Sequence, residues 1–513
     1  MGEAFKPTIG KTVLETLTSG MYDDARFIFR EYIQNAADQI DEAVELEILA
    51  SRNEGFIDIN IDAASRRITI SDNATGVLRS NVAPFLGDVA NSQKDTLRRK
   101  GFRGIGRLGG LGYCDRLIFE TSYLGEPVKS RVTLDAKLLR KIIENRRDNS
   151  DARAAMAFIT IEDPPQIEEK NEHYFRVILE NVNNDDLLNV EYVTEYLSMV
   201  APVPFSSLFT FSEVIKAFLN SRNLVLDEYN IEVNKETLFK RYKNYFTDDK
   251  GKVSKLIGVD FVDIRNDLQE LIAICWYGYR DYSNISLSAN DIERGIRIRT
   301  KNISIGDETT CNRLFNVEKT NQRFIGEIHT LSDGFIPNAR RDYFNENATC
   351  QQFEKNARVI FKAENLENRL AQTASKLHNK LEEIQQYRVK FDEFRILKGA
   401  FESEAAESFH LNKLKELEEK AIKAKAEIDK IKVKANEYPN VRTLYKSVIG
   451  DTDISVEMLS GNELQVSKYD PPEFTKLSSD QRKVVIDIFE ILEEELDFYL
   501  SELIKKKIVD KYN

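Results

Sequence analysis

Residues 27–42 read FIFREYIQNAADQIDE, and the spacing of their apolar positions fixes a helix. Phe27, Ile28, Ile33, Ala36, Ala37 and Ile40 recur at three- and four-residue intervals and supply a buried side. The same spacing puts Glu31, Asn35 and Asp38 on one stripe. A carboxylate, an amide and a second carboxylate at the edge of a core need partners. A hydrated metal ion on a phosphate chain would satisfy all three. A solvated helix face capped by Arg30 would explain them equally well, so this helix alone leaves both readings open.

A second segment, RRITISDNATGV at 66–77, alternates Ile68 and Ile70 as a strand that runs into Asp72 and a turn ending at Gly76. An acid at the mouth of a buried strand can accept from a purine amino group, with Gly76 letting the backbone approach the ring. An Asx turn made by Asp72 and Asn73 is the alternative. A third segment, RKGFRGIGRLGGLG at 99–112, interleaves Gly101, Gly104, Gly106, Gly109, Gly110 and Gly112 with Arg103 and Arg107. Backbone N–H groups freed of side chains form an anion-binding concavity, for which phosphate is the expected guest. A flexible linker is the alternative, although linkers rarely place residues such as Phe102, Ile105, Leu108 and Leu111 between their glycines. Two motifs are decoys. Gly104, Gly106 and Gly109 match GxGxxG, but KDTLRRKGFR before them is not an apolar strand. Gly10, Lys11 and Thr12 imitate the end of a P-loop, whose first glycine is replaced by Phe5.

The 513 residues allow for about three domains at roughly 100–200 residues each. A net charge of −12 argues against a chain-wide nucleic-acid surface, because phosphate binding relies on clustered Lys and Arg. Cys114, Cys275, Cys311 and Cys350 form no CxxC pair, so neither a zinc site nor a disulfide framework is expected, and a reducing cytoplasm fits. The start, MGEAFKPTIG, lacks the apolar run of a signal peptide, and no stretch of about 18 apolar residues suggests a membrane span.

The fold class expected is α+β. Residues 1–185 form a first domain, with FIDINIDA, RRITISDN, RLIFETSY, SRVTLDA and AFITIED as strands of one mixed sheet. Residues 186–350 form a second α/β domain. Helices are expected at VEYVTEYLSMVA and DEYNIEVNKETLFKRYKNYF, and strands at LIAICWYGYR, GIRIRTKNISIG and RFIGEIHTL. Residues 351–438 carry Leu370, Leu377, Ile384 and Phe391 at heptad spacing. Leu414, Leu417, Ala421, Ala424, Ile428, Ile431 and Ala435 keep three-four spacing, and Gly399 and ESEAAESF interrupt the two runs. A helical hairpin follows, with intermolecular pairing left open. In 439–513, Ser479 is the expected N-cap of one helix through VVIDIFEILEEELDFYLSELI, whose apolar positions need a partner.

The order of acid–amide–acid helix, strand with Asp-turn-Gly, and Gly-rich loop resembles the Bergerat ATP-binding fold of the GHKL superfamily. That superfamily contains gyrase B, the ninety-kilodalton heat-shock chaperones, histidine kinases and MutL. The resemblance is nearest to the chaperones, of which HtpG is the bacterial form. FREYIQNAADQID is similar to their first motif, SDNATGV to their second, FLGDVANS at 85–92 to the start of their lid, and GFRGIGR to their glycine loop. This likeness implies ATP and Mg2+ as ligands, with Glu31 as general base, Asn35 as the Mg2+ ligand, Asp38 as a polar contact and Asp72 as adenine reader. It also places Gly76, Asn91, Ser92, Gly101, Arg103, Gly104, Ile105, Gly106 and Arg107 around the nucleotide.

Residues 295–307 and 324–344 resemble the chaperones' middle domain, and aligning Asn338 and Asp342 makes Arg341 the catalytic arginine, against a surface pair with Asp342. The likeness extends over residues 5–350. Two departures stand out: Ala74 replaces the first glycine of the Asp-x-Gly-x-Gly turn, and Phe175 stands where the family has a threonine near adenine. The resemblance implies an ATP-gated homodimeric clamp. The region after 350 is foreign to the chaperones, which supports a second reading: a nucleotide-switched module whose C-terminal part recruits a protein partner, such as a nuclease in an antiviral defence system. A DNA-handling clamp like MutL or MORC rests only on the Lys-rich helix at 413–434, whose interleaved acids fit a solvated face better. No histidine lies in a phosphoacceptor helix ahead of the ATP domain, which disfavours a histidine kinase.

Overall fold

A computed structural model describes residues 9–18, 24–87, 106–145, 147, 150–248, 251, 253–281, 286–361, 366–401, 403–467 and 476–512. These divide into two compact units. One is built from residues through Arg280 and from 286 to Glu367, the other from Asp281 and from Asn368 onward.

The first unit holds two sheets. In the first, β1 (Phe56–Asp62), β2 (Arg67–Asp72), β3 (Arg116–Ser122), β4 (Val128–Asp135), β5 (Thr160–Glu162), β6 (Gln166–Ile167), β7 (Tyr174–Glu180), β8 (Asn230–Val233) and β9 (Glu236–Thr237) are ordered β5-β4-β3-β7-β2-β1-β8-β9, with β6 added to β4. Helix α1 (Phe27–Glu45) packs on this sheet. Ile57, Ile59, Ile61, Ile68 and Ile70 join Phe29, Ile33, Ala37 and Ile40 in one core, because the period-2 strands and the period-3.6 helix each turn one apolar face inward. Register then fixes a row across the sheet: Ile57 lies opposite Asp72, Asp72 opposite Phe175, and Phe175 opposite Thr121.

Three expectations change here. The stretch 227–246 is not helical but forms the β8–β9 hairpin. Asn234 and Lys235 both take positive φ, +48° and +72°, as a two-residue type I′ turn requires, while Ile231 and Val233 are buried by parallel pairing with β1. These two strands belong to the first sheet, so that sheet does not end at residue 185. At AFITIED, Asp151 caps a helix, Ala152–Ile159, by accepting from Ala154 N at 2.7 Å, leaving only Thr160–Glu162 as strand.

The second sheet runs β10-β11-β12-β15-β13-β14, from β10 (Tyr245–Thr247), β11 (Val253–Arg265), β12 (Leu271–Arg280), β13 (Gly295–Thr300), β14 (Ile303–Ile305) and β15 (Ile325–Thr330). Its β13–β14 turn repeats the same device, with Lys301 and Asn302 at φ +48° and +59°. At its centre the fully buried Glu327 accepts from Lys240 at 2.9 Å, Trp276 at 3.4 Å and Tyr242 at 3.2 Å, and pairs with Arg299 and His329.

In the second unit, helices Gln372–Leu397 and Glu404–Glu437 fold back on each other through Gly399 at φ +79°. Leu377, Ile384, Phe391, Leu414, Ala421, Ala424, Ile428, Ile431 and Ala435 are buried as their spacing requires. The C-terminal helix is two helices rather than one, Ser479–Glu495 and Phe498–Tyr512. Ser478, one residue before the expected cap, makes a capping box with Gln481. Asp497 breaks the run by accepting from Tyr499 N and Leu500 N, both at 3.1 Å. The four cysteines are free and buried. Among the described residues no helix is long and apolar enough to cross a membrane.

Candidate functional site

The polar stripe of α1 is not solvated. Glu31 is 5% and Asp38 1% exposed, Gln34 between them is 2% exposed, and Asn35 is partly open. Of the two readings of this helix, a solvated face is therefore excluded. The chain at Gly106 runs directly against the stripe: a Cβ there would stand 2.2 Å from Glu31 Oε2. A 3-10 turn, Gly106–Gly112, continues from it, held where Tyr32 Oη donates to Arg107 O at 3.1 Å and accepts from Gly110 N at 3.0 Å. The Arg107 guanidinium lies over the Phe85 ring at 5.2 Å. Asn91, Ser92, Gly101, Arg103, Gly104 and Ile105 fall outside the described residues.

The C-terminal half of α1 reaches the second motif through Gln39, whose Oε1 accepts from Thr75 Oγ1 at 2.7 Å. Asp72 is buried and its Oδ1 accepts from Ala74 N at 3.1 Å, so the Asx turn does form, with the carboxylate held at the strand's end. Burial pushes this carboxyl up to about 7, and the backbone N–H groups of Ala74 and Phe175 offset only part of that effect. Ala74 is buried with an ordinary negative φ, so the missing first glycine strains nothing. Gly76 is different. Its φ is +66° and a Cβ would come 1.8 Å from Ser122 O, so no side chain fits. His173 Nδ1 donates to Ala74 O at 2.7 Å, and Val77 N donates to Thr121 Oγ1 at 2.9 Å.

Phe175 stands beside Asp72 in the row across the sheet and lies 5.9 Å from both Phe85 and Phe119. The wall next to Asp72 is therefore aromatic. Thr121, one strand further along the row, supplies a hydroxyl that only strand register reveals. Gln34, by contrast, was legible as the residue three after Glu31 on the same helix.

Arg341 does not pair with Asp342, whose Oδ1 instead accepts from Asn338 Nδ2 at 2.6 Å. It is buried, with Nε 2.9 Å from Glu31 Oε1 and Nη1 donating to Gln34 Oε1. Its backbone sits at φ +56°, a left-handed conformation uncommon for a side-chain-bearing residue, in a turn closed by Arg341 N on Asn338 O at 3.2 Å. Gly306 N donates to Arg341 O at 2.8 Å and holds it there. Next to it, Arg30 Nη2 donates to Arg340 O at 3.4 Å, and Arg30 Nε is buried without a hydrogen-bond partner among the described residues. The structure thus gathers Glu31, Gln34, Gly106 and Arg341 around one carboxylate, with the Asp72 turn further along the same helix.

Residues 26–160 match the family described as histidine kinase-, DNA gyrase B-, and HSP90-like ATPase. The chain carries a GHKL-type ATPase domain. Three relatives, each named chaperone protein HtpG, share parts of it. That of Fusobacterium nucleatum subsp. nucleatum is 27% identical over 128 residues, covering 22% of this chain and 21% of the relative. That of Paraburkholderia xenovorans is 28% identical over 139 residues, covering 24% and 22%. That of Methylorubrum populi is 34% identical over 92 residues, covering 17% and 14%. The chain spans at most about a fifth of the length of these curated relatives. The GHKL likeness thus has Glu31, Asn35, Asp38, Asp72, Gly76, Gly106 and Arg107 inside the matched stretch and Arg341 outside it.

Proposed function

We propose that the chain is a cytoplasmic Mg2+-dependent ATPase that works as an ATP-gated homodimeric clamp, with an ATP-binding domain built on the first sheet, the β8–β9 hairpin included, and a second domain built on the second sheet that lends Arg341. The observation that carries this reading is the buried Glu31 carboxylate with Gly106 against one oxygen and Arg341 beside the other. A buried acid between the Gly106 backbone and a cation suits an anionic substrate that brings its own charge. In the reaction, Glu31 takes a proton from the attacking water as it adds to the γ-phosphorus, and the bond to the ADP oxygen breaks. Arg341 offsets charge gathering on the phosphoryl oxygens. Asp72 accepts from the purine amino group, Gly76 admits the ring, and Asp38 is a second polar contact. Bound Mg2+ would neutralise phosphate charge, and Asn35, the partly open amide of the stripe, would be its protein ligand. Asn91, Ser92, Gly101, Arg103, Gly104, Ile105, Gly106 and Arg107 would surround the phosphates.

Two variants test it. Glu31→Ala should bind ATP with turnover reduced about 10²- to 10⁴-fold, and Asp72→Asn should lose ATP-dependent thermal stabilisation. Normal turnover in the first, or equal stabilisation of both, refutes the assignment.

A second reading, recruitment of an effector protein such as a nuclease in antiviral defence, is favoured by one observation. In the helices Ser479–Glu495 and Phe498–Tyr512 only Arg482 and Ser501 are buried, so none of their many apolar side chains is. Such surface is covered in a functional assembly. Co-purification of a defined partner with the full chain, but not with a version ending at residue 367, would establish it.

A further inference from the structure

We propose that Gln34 is the positioning residue for Arg341: the neutral half of a two-part seat whose charged half is Glu31. The inference rests on the ATPase reading above and concerns how its arginine is held. Gln34 and Glu31 are three residues apart on α1, so their side-chain oxygens project from adjacent positions of one face. Both side chains are buried. Arg341 presents a different edge of its guanidinium to each, Nε to Glu31 and Nη1 to Gln34. Because the guanidinium is planar and its N–H directions are fixed, the hydrogen bond to Gln34 sets its rotation, while the 2.9 Å ion pair with Glu31, which makes no hydrogen bond through that oxygen among the described residues, holds it by charge alone. The backbone adds aim. Arg341 is held at φ +56° by Gly306 N at 2.8 Å on its carbonyl and by its own N on Asn338 O at 3.2 Å.

The two halves of the seat differ in what they do to charge. Glu31 neutralises the guanidinium and is itself tied up by it, so it cannot accept a water proton freely while the pair persists. Gln34 accepts a hydrogen bond through a neutral carbonyl and leaves the positive charge available. When phosphoryl oxygens compete for the guanidinium, Nε is drawn off Glu31 while Nη1 keeps its place on Gln34. Gln34 is thus a pivot: Arg341 turns about it from the resting pair with Glu31 toward the phosphate, and Glu31 is released as a base in the same movement. An alanine at this position would free the arginine to wander, and a glutamate would hold it back by a second negative charge.

The experiment is steady-state ATP hydrolysis by the full-length protein with Gln34→Ala, Gln34→Glu, Arg341→Ala and the Gln34→Ala/Arg341→Ala pair. Losing one hydrogen bond to a charged group predicts a fall in kcat of about ten- to a hundredfold for Gln34→Ala, at unchanged KM for ATP and unchanged ATP-dependent thermal stabilisation. Gln34→Glu should also lower kcat, and the double variant should turn over no more slowly than Arg341→Ala alone. Wild-type kcat in Gln34→Ala, or a full additional loss in the Arg341→Ala background, overturns the proposal. If Gln34→Ala does not fold, Gln34→Glu carries the same test: no fall in kcat with Arg341 present, or a full additional loss in the Arg341→Ala background, overturns it. A wild-type chain that binds but never hydrolyses ATP refutes the ATPase reading instead.

Discussion

Asp72 should make this protein less stable than it need be. Its carboxyl is buried and raised from 3.8 to about 7. The folded chain therefore holds the proton more tightly than the unfolded chain does. Stability falls as pH rises from about 4 to about 7, at up to roughly 1.4 kcal/mol per pH unit, and the full cost, about 4 kcal/mol, stands above pH 7. Asp72→Asn removes the charge while its amide oxygen can still accept from Ala74 N. The new NH2 group needs an acceptor in a buried place, which takes back about 1–3 kcal/mol. The net expectation at pH 8 is a gain of about 1–3 kcal/mol, read as a melting temperature roughly 2–6 °C higher in nucleotide-free protein. At pH 5, where most of the wild-type cost has gone, the difference should close or reverse. ATP should raise the melting temperature of wild type but not of the variant, since the variant has lost the carboxylate acceptor. In wild type, ATP affinity should climb from pH 6 to about pH 7.5 as Asp72 ionises, then level off. Differential scanning fluorimetry across pH, with and without ATP, checks every part. An Asp72→Asn protein destabilised equally at pH 8 and pH 5 would refute the reasoning, because then the buried charge carries no cost.

Gly76→Ala meets both a left-handed φ of +66° and a contact of 1.8 Å with Ser122 O. It should cost about 3 kcal/mol or more and abolish ATP-dependent stabilisation, whereas Ala74→Gly, at an ordinary φ, should cost about 1 kcal/mol or less. In the second sheet, Glu327→Gln removes the buried charge that pairs with Lys240 and Arg299 and should destabilise by about 3–5 kcal/mol, measured by denaturant unfolding.

Periodicity carried most of the first sheet, because Ile57, Ile59, Ile68 and Ile70 alternate and need no distant information to be read as strands. It failed at 227–246, where Tyr, Lys and Glu at mixed spacings look helical, and the Asn234–Lys235 turn is the only local sign of a hairpin. That hairpin is stabilised from outside itself, by β1 and by Asn234 Nδ2 on Ile61 O at 3.1 Å. The C-terminal break at Asp497 was legible in principle, as a capping aspartate within an apolar run, but the continuous apolar pattern outweighs a single cap in any window average.

By itself the sequence determined which helix bears Glu31, Asn35 and Asp38, which strand delivers Asp72 to a turn, and that this turn ends on Gly76. Those are properties of local spacing and backbone conformation. Only the tertiary structure decided that the stripe is buried, that Phe175 and Thr121 share Asp72's row, and that Arg341 leaves Asp342 for Glu31 and Gln34. Arg341 lies 307 residues along the chain from Gln34. A charge chooses its partner by position in space and by the water it loses, and neither is encoded in the residues on either side of it.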